Sequence, residues 1–176
     1  MRFMETKLKG AFVIEIEKRE DDRGFFARSL CMKEFEAQGL NVTYVQSNIS
    51  FNLKTGTLRG MHRQLAPYGE TKLVRCVSGR IFDVIVDLRE KSKTFKHWFS
   101  VELSQDNRKT LYVPKGFAHG FLTLEDNSEV FYQHSQYYTP EAEGGVRWDD
   151  PAFGIRWPSM DRYIISNKDQ HWPLYL

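Results

Sequence analysis

Four stretches of this chain carry residue types able to move protons or steady the charge that results. The densest is Gly56–Gln64, GTLRGMHRQ, where His62 follows Arg59 by three residues. Strand alternation would direct Arg59 and Met61 to one face and Gly60, His62 and Gln64 to the other. Lys72 opens the apolar run LVRCVSG, and a lysine at a strand entrance can turn its ammonium into a cavity. His119 stands inside PKGFAHGF (114–121), and EVFYQHSQYY (129–138) offers Tyr132, Tyr137 and Tyr138. The even separation of Tyr132 and Tyr138 would place both on one side of a regular strand.

These types suit abstraction of a proton next to a ketone. A histidine supplies a base near neutral pH. A lysine can stabilise the enolate oxygen, and a tyrosine can return a proton from the other face. Each has a plain structural alternative: a half-buried histidine, a solvated lysine, tyrosines as core rings with satisfied hydroxyls. Spacing alone does not choose between the two.

The elements that must position these groups read as strands. Alternation and β-branching mark Ala11–Glu17, Tyr44–Phe51, Thr57–Gln64, Leu73–Ser78 and Ile81–Leu88, with Ser78-Gly79 as a hairpin turn. Further strands are expected at Trp98–Leu103, Lys109–Val113, His119–Thr123 and Val130–Tyr138. One short amphipathic helix is expected at Lys33–Gly39, stopped by its glycine, and the tail from Met160 reads as a short helix and a return strand. Strands at roughly ten-residue spacing predict an all-β jelly roll or related β-sandwich.

Composition narrows the classes. The chain has 176 residues, enough for one domain with a sizeable core, and residues 1–176 are read as a single domain. Its 25 Lys+Arg against 23 Asp+Glu leave a net charge of +2 with no basic block, which argues against a nucleic-acid or membrane partner. Aromatic residues make up 14%, ring area that favours a β-rich core. Cys31 and Cys76 build no disulfide framework. No apolar run approaches the roughly 20 residues that span a bilayer, and MRFMETKLKG lacks a signal-peptide core. A cytoplasmic location is the expectation.

Gly56-x5-His62-x-Gln64 and Pro114-x-Gly116-x2-His119 resemble the two cupin motifs, which in metal-binding members supply three histidines. Gln64 occupies one ligand position and is a poor ligand for zinc or iron(II), so no metal is expected. The chain as a whole resembles the dTDP-4-dehydrorhamnose 3,5-epimerase family of metal-free cupins. The resemblance runs through DDRGFF (21–26), QSN (46–48), TLRGMHRQ (57–64), KLVRCVSGRIFDVIVDLR (72–89), ELS (102–104), VPKGFAHGF (113–121), GVRWDDP (145–151), IRWP (155–158) and ISNKD (165–169).

The resemblance implies a cupin-type jelly roll that epimerises C3 and C5 of a nucleotide-linked 4-keto-6-deoxyhexose. It implies His62 as the base, Asp169 as its carboxylate, Lys72 at the C4 oxygen and Tyr132 as the opposite-face acid. Substrate binding would fall to Arg23, Gln46, Asn48, Arg59, His119, Tyr138, Glu143 and Lys168. Arg23, Arg59 and His119 suit a pyrophosphate, and Phe26 or Tyr138 a stack on the base. No organic cofactor is implied, because the substrate ketone already acidifies both carbons. A homodimer with exchanged first strands is implied as well.

Departures from the family pattern concern specificity. Arg28 stands where Glu is usual, five residues after Arg23, which admits another nucleotide such as a CDP-linked sugar. Arg63 follows the base where an aromatic or aliphatic residue is common, Gly144 replaces a usual Arg, and Glu70 stands where Gln is frequent. C3-only epimerisation, 3,4-ketoisomerisation and sugar-nucleotide binding without catalysis are the alternatives.

Overall fold

The computed structural model describes residues 1–41 and 43–175. Its strands, in chain order, are β1 (Arg2–Glu5), β2 (Phe12–Glu15), β3 (Arg19–Asp21), β4 (Gly24–Phe26), β5 (Gln46–Asn52), β6 (Thr57–Gln64) and β7 (Lys72–Ser78). After them come β8 (Arg80–Asp87), β9 (Trp98–Ser104), β10 (Thr110–Val113), β11 (Phe117–Thr123), β12 (Ser128–His134), β13 (Glu143–Gly145) and β14 (Ile164–Ile165). Helix α1 (Met32–Ala37) precedes β5, and α2 (Asn167–Gln170) follows β14. The fold is an all-β, cupin-like sandwich with two short helices.

Two sheets make the sandwich. One runs β1-β2-β10-β7-β12-β5, and the other β13-β6-β11-β8-β9 with β14 added parallel to β6. Alternation sends Ile81 and Ile85 of β8 inward against Val74, Leu111, Phe121 and Val130. The intervening Val84 and Val86 face outward, where Phe153, Ile155 and Trp157 of the C-terminal segment cover them. Burial on both faces is why IFDVIVD reads as an almost unbroken apolar run.

On the outer face of the first sheet, Phe35 of α1 packs with Ile14, Leu73 and Tyr112, its ring edge-on to Phe3 at 5.1 Å. The helix closes as the sequence predicts. Gly39 takes φ +68°, its N–H reaches the Glu36 carbonyl, and the Leu40 N–H reaches that of Phe35. Gly79 turns the β7–β8 hairpin at φ +69°. Cys31 and Cys76 are both free thiols.

Strands β1, β3, β4 and β13 have no counterpart in the sequence reading. They are three or four residues long, mostly at edges or in the exposed β3–β4 hairpin, where no apolar alternation is required. The tail forms its strand first and its helix second. Tyr138 is not on β12, which ends at His134. Beyond it the Ser135 N–H bonds the Thr71 carbonyl and the Thr139 N–H bonds the Gln64 side chain, so the chain leaves the ladder and Tyr138 stands exposed at the rim.

Candidate active site

Between the sheets, at the end where β6, β7, β11 and β12 meet β5, lies a cavity of about 280 Å³. Asn48, Ile49, Ser50, Arg59, His62, Lys72, His119, Phe121, Tyr132 and His134 line it. It thus gathers Asn48, Arg59, His62, Lys72, His119 and Tyr132 from the sequence-derived candidates.

Arg59 and His62 share this wall, against the alternation expected from sequence. On β11 one residue separates His119 from Phe121, while on β6 two separate their partners, His62 and Arg59. One extra residue in β6 therefore resets the alternation, and Met61 turns to the opposite, apolar side with Val84 and Ala118. Two glycines allow the irregularity: a Cβ on Gly60 would come within 2.6 Å of the Gly120 Cα. Arg59 is held in turn by Asn52, whose side-chain oxygen accepts from its Nε at 2.7 Å.

His62 pairs with Asp169 across 107 residues of sequence, Nε2 to Oδ1 at 2.6 Å. Asp169 sits in α2, whose N-cap Ser166 accepts its backbone N–H, while its Oδ2 accepts the Gly60 N–H at 3.2 Å. Burial works against its charge, but the bond to His62 and the Gly60 N–H hold the carboxyl below the usual carboxylate range. With Nε2 engaged by Asp169, Nδ1 is the remaining ring nitrogen of His62.

His119, the cross-strand neighbour of His62, has a carboxylate of its own. Its Nε2 lies 3.0 Å from both oxygens of Asp83, which is fully buried. Burial pushes the Asp83 carboxyl up despite the imidazole beside it. Tyr132 packs edge-on to His119 at 6.0 Å. Burial and the Asp83 carboxylate raise its hydroxyl well above an ordinary phenol, so it rests as a neutral donor. Lys72 enters from the start of β7 and meets Glu70 at 3.1 Å.

The other candidates lie elsewhere. Gln46 donates to Asn48 at 3.2 Å and accepts the Tyr138 N–H, linking cavity to rim. At the rim the Tyr138 hydroxyl donates to Glu143, and Lys168 Nζ reaches the other Glu143 oxygen at 2.5 Å. Arg23, Phe26 and Arg28 are not brought to the cavity of their own chain. Arg23 pairs with Asp21 in the β3–β4 turn, Phe26 is 73% exposed, and Arg28 pairs with Glu34 at 2.6 Å. The set expected at a pyrophosphate, Arg23, Arg59 and His119, is not assembled within one chain: Arg59 and His119 line the cavity, whereas Arg23 stays in the β3–β4 turn.

Gln64 has another task than ligation. Its amide donates to the Tyr68 and Tyr137 carbonyls and accepts the Thr139 N–H at 2.7 Å, bracing two loops. Among the described residues no three His, Cys, Asp or Glu side chains come together as a metal site. Sequence reasoning passed over Asp83, Ser50, Phe121 and His134. The one available signal was Asp83, an acid set inside the apolar run of β8.

A cupin-like sandwich whose cavity joins an imidazole–carboxylate pair, a lysine and a half-buried tyrosine carries the groups of a proton-transfer enzyme. The dTDP-4-dehydrorhamnose 3,5-epimerase family model matches residues 5–175. A relative of that name from Methanothermobacter thermautotrophicus is 46% identical over 99% of this chain and 98% of its own. Among solved structures, the dTDP-4-dehydrorhamnose 3,5-epimerase of Bacillus anthracis with TDP and PPi bound is 43% identical over 99% of both chains, with a TM-score of 0.95. The dTDP-6-deoxy-D-glucose-3,5-epimerase of Legionella pneumophila, in complex with dTDP-4-keto-L-rhamnose, is 37% identical over 98% of this chain and 92% of that one, with a TM-score of 0.92. The chain belongs to the dTDP-4-dehydrorhamnose 3,5-epimerase family.

Proposed function

We propose that this protein epimerises C3 and C5 of a dTDP-linked 4-keto-6-deoxyhexose in deoxysugar biosynthesis. The observation that carries the reading is the single cavity with His62–Asp169 on one wall and Lys72 and Tyr132 on others. His62 Nδ1 takes the proton from the carbon next to the ketone, and the C–H electron pair moves into an enolate. The Lys72 ammonium stabilises the charge that develops on the C4 oxygen. Tyr132 delivers its proton to the opposite face, and the configuration inverts. Asp169 fixes the His62 tautomer and supports the imidazolium.

Arg59 and His119 face the same cavity and are the cationic or donor groups available to a diphosphate there. Gln46, Asn48, Tyr138, Glu143 and Lys168 form the route from that cavity to its rim. Arg28, tied to Glu34, leaves the dTDP preference of the relatives as the reading for this chain.

A homodimer is part of the same proposal, with the β3–β4 hairpin of one copy carrying Arg23 and Phe26 to the cavity of the other. Its support is the exposed hairpin together with the outer face around β5, β7 and β12. There Phe51 and Val77 are exposed, and the buried Nε of Arg75 has no hydrogen-bond partner among the described residues. No helix among the described residues is long and apolar enough to cross a membrane, and a cytoplasmic site of action belongs to the proposal.

Incubation with the dTDP-4-keto sugar in D2O, followed by NMR, tests the reaction. Deuterium at both C3 and C5 is the expected result. Deuterium at C3 alone demotes the protein to a 3-epimerase, and none at either carbon ends the proposal. Sedimentation of wild type and Phe51→Glu tests the dimer, with a shift towards monomer expected for the variant.

A further inference from the structure

Glu70 and His134, two residues beside Lys72, have no task in the scheme above. Glu70 Oε1 lies 3.1 Å from Lys72 Nζ, and its Oε2 accepts from His134 Nδ1 at 2.8 Å. The three side chains are 9, 10 and 11% exposed for Glu70, Lys72 and His134 respectively, so the group is almost wholly withdrawn from water. The ladder places His134 directly opposite Lys72 on β7 and opposite Gln46 on β5. The His134 ring stacks on Tyr132 with centroids 5.9 Å apart and planes at 26°. Its Nε2 lies 3.4 Å from Asn48 Nδ2, which fits the tautomer that donates from Nδ1 to Glu70.

A lysine ammonium is a point charge on a flexible four-carbon stem, so its position relative to a reacting oxygen depends on what anchors it. A carboxylate bonded at both oxygens is a fixed anchor. Burial works against the Glu70 charge, but His134 and Lys72 together hold the carboxyl below the usual range, so it stays an acceptor for both. The same carboxylate thereby connects the lysine that meets the C4 oxygen with the ring that backs the tyrosine.

We propose that Glu70 and His134 act as a positioning pair, Glu70 fixing the Lys72 ammonium and His134 bracing the Tyr132 ring. The inference rests on the reaction proposed above. It assigns neither residue to proton transfer with the substrate; both act through Lys72 and Tyr132.

The test compares wild type, E70A, E70Q, H134A and the E70A/H134A double variant on the dTDP-4-keto sugar, with thermal melts of each. E70A is expected to lower kcat about 10- to 100-fold while KM moves far less, the signature of lost geometry around the reacting atoms. E70Q, whose amide oxygen still accepts from Lys72, recovers most of that loss. H134A falls between them, and the double variant is no slower than E70A because the two residues work as one unit. An unchanged kcat in E70A and H134A overturns the pair, as does a loss accounted for by the unfolded fraction. Should E70A not fold, H134A decides: a lower kcat at unchanged KM supports the pair and an unchanged kcat overturns it. Wild-type turnover separates the two levels. Failure of wild type removes the reaction and the pair together, whereas normal wild-type turnover with normal variants removes only the pair.

Discussion

Two imidazole–carboxylate pairs face each other across one rung of the β6–β11 ladder, and they differ in burial. His62 is 36% exposed and its Asp169 sits at the cavity's side, bonded also by the Gly60 N–H. His119 is 5% exposed and its Asp83 is completely enclosed. The same two residue types therefore meet opposite electrostatics. Asp169 is held ionised by its hydrogen bonds, while burial pushes the Asp83 carboxyl up. An imidazole beside a fixed negative charge and open to substrate is equipped to take a proton. One sealed against a desolvated acid is a rigid wall with a polar surface.

Replacing His62, the proposed base, is the largest way to break this comparison. His62→Ala should lower kcat by roughly 10²–10⁴-fold and abolish deuterium uptake at C3 and C5. His119→Ala should act mainly on KM for the nucleotide sugar; equal kcat losses at the two positions would erase the distinction. Lys72→Ala should cost about 10²–10³-fold in kcat, comparable with loss of the base, because it removes stabilisation of developing charge. Tyr132→Phe sharpens the division differently. His62 remains able to exchange the substrate proton, so deuterium should enter with retained configuration while net inversion is lost, as NMR and product analysis would reveal.

The smallest effect concerns stability and contrasts a third carboxylate with the two pairs. Burial opposes the charge of Asp87, but bonds from Arg89, Ser92 and Thr94 outweigh it and bring its pKa down to about 2. A carboxyl lowered by folding stabilises above its unfolded value and loses that contribution as pH falls through the folded one. The Asp87 contribution, of order 2 kcal/mol, should thus be present at pH 5 and fade between about pH 4 and 2. Denaturant melts of Asp87→Asn should show the deficit at pH 6 and little of it near pH 2.

Much of the sandwich was legible because its central strands obey local rules. β6, β7, β8, β9 and β10 fall within the runs of apolar or alternating residues that mark them, give or take an end residue, and β11 begins two residues before its run. The helix at Met32–Ala37 stops where Gly39 can take a positive φ. What escaped were elements held by long-range bonds. β13 exists because Glu143–Gly145 lies against β6, and β12 stops at His134 because side chains of Gln64 and Ser135 redirect the backbone. The site shows the same split. His62, His119, Lys72 and Tyr132 announce themselves by type, whereas Asp83 and His134 gain meaning only from what stands across the ladder.

By itself the sequence determined the chemistry available: a histidine base, a lysine, a tyrosine, and motifs shared with one family from residue 21 to residue 169. It also determined that glycines stand at 60 and 120. The Asp169 partner of His62 was implied by the family resemblance, but only the tertiary structure decided that Arg59 shares a wall with that histidine and that Glu70 joins Lys72 to His134. The physical reason is that side-chain alternation is a property of one strand. A bulge, a returning tail and a buried ion pair are set by the neighbour against which that strand is hydrogen-bonded.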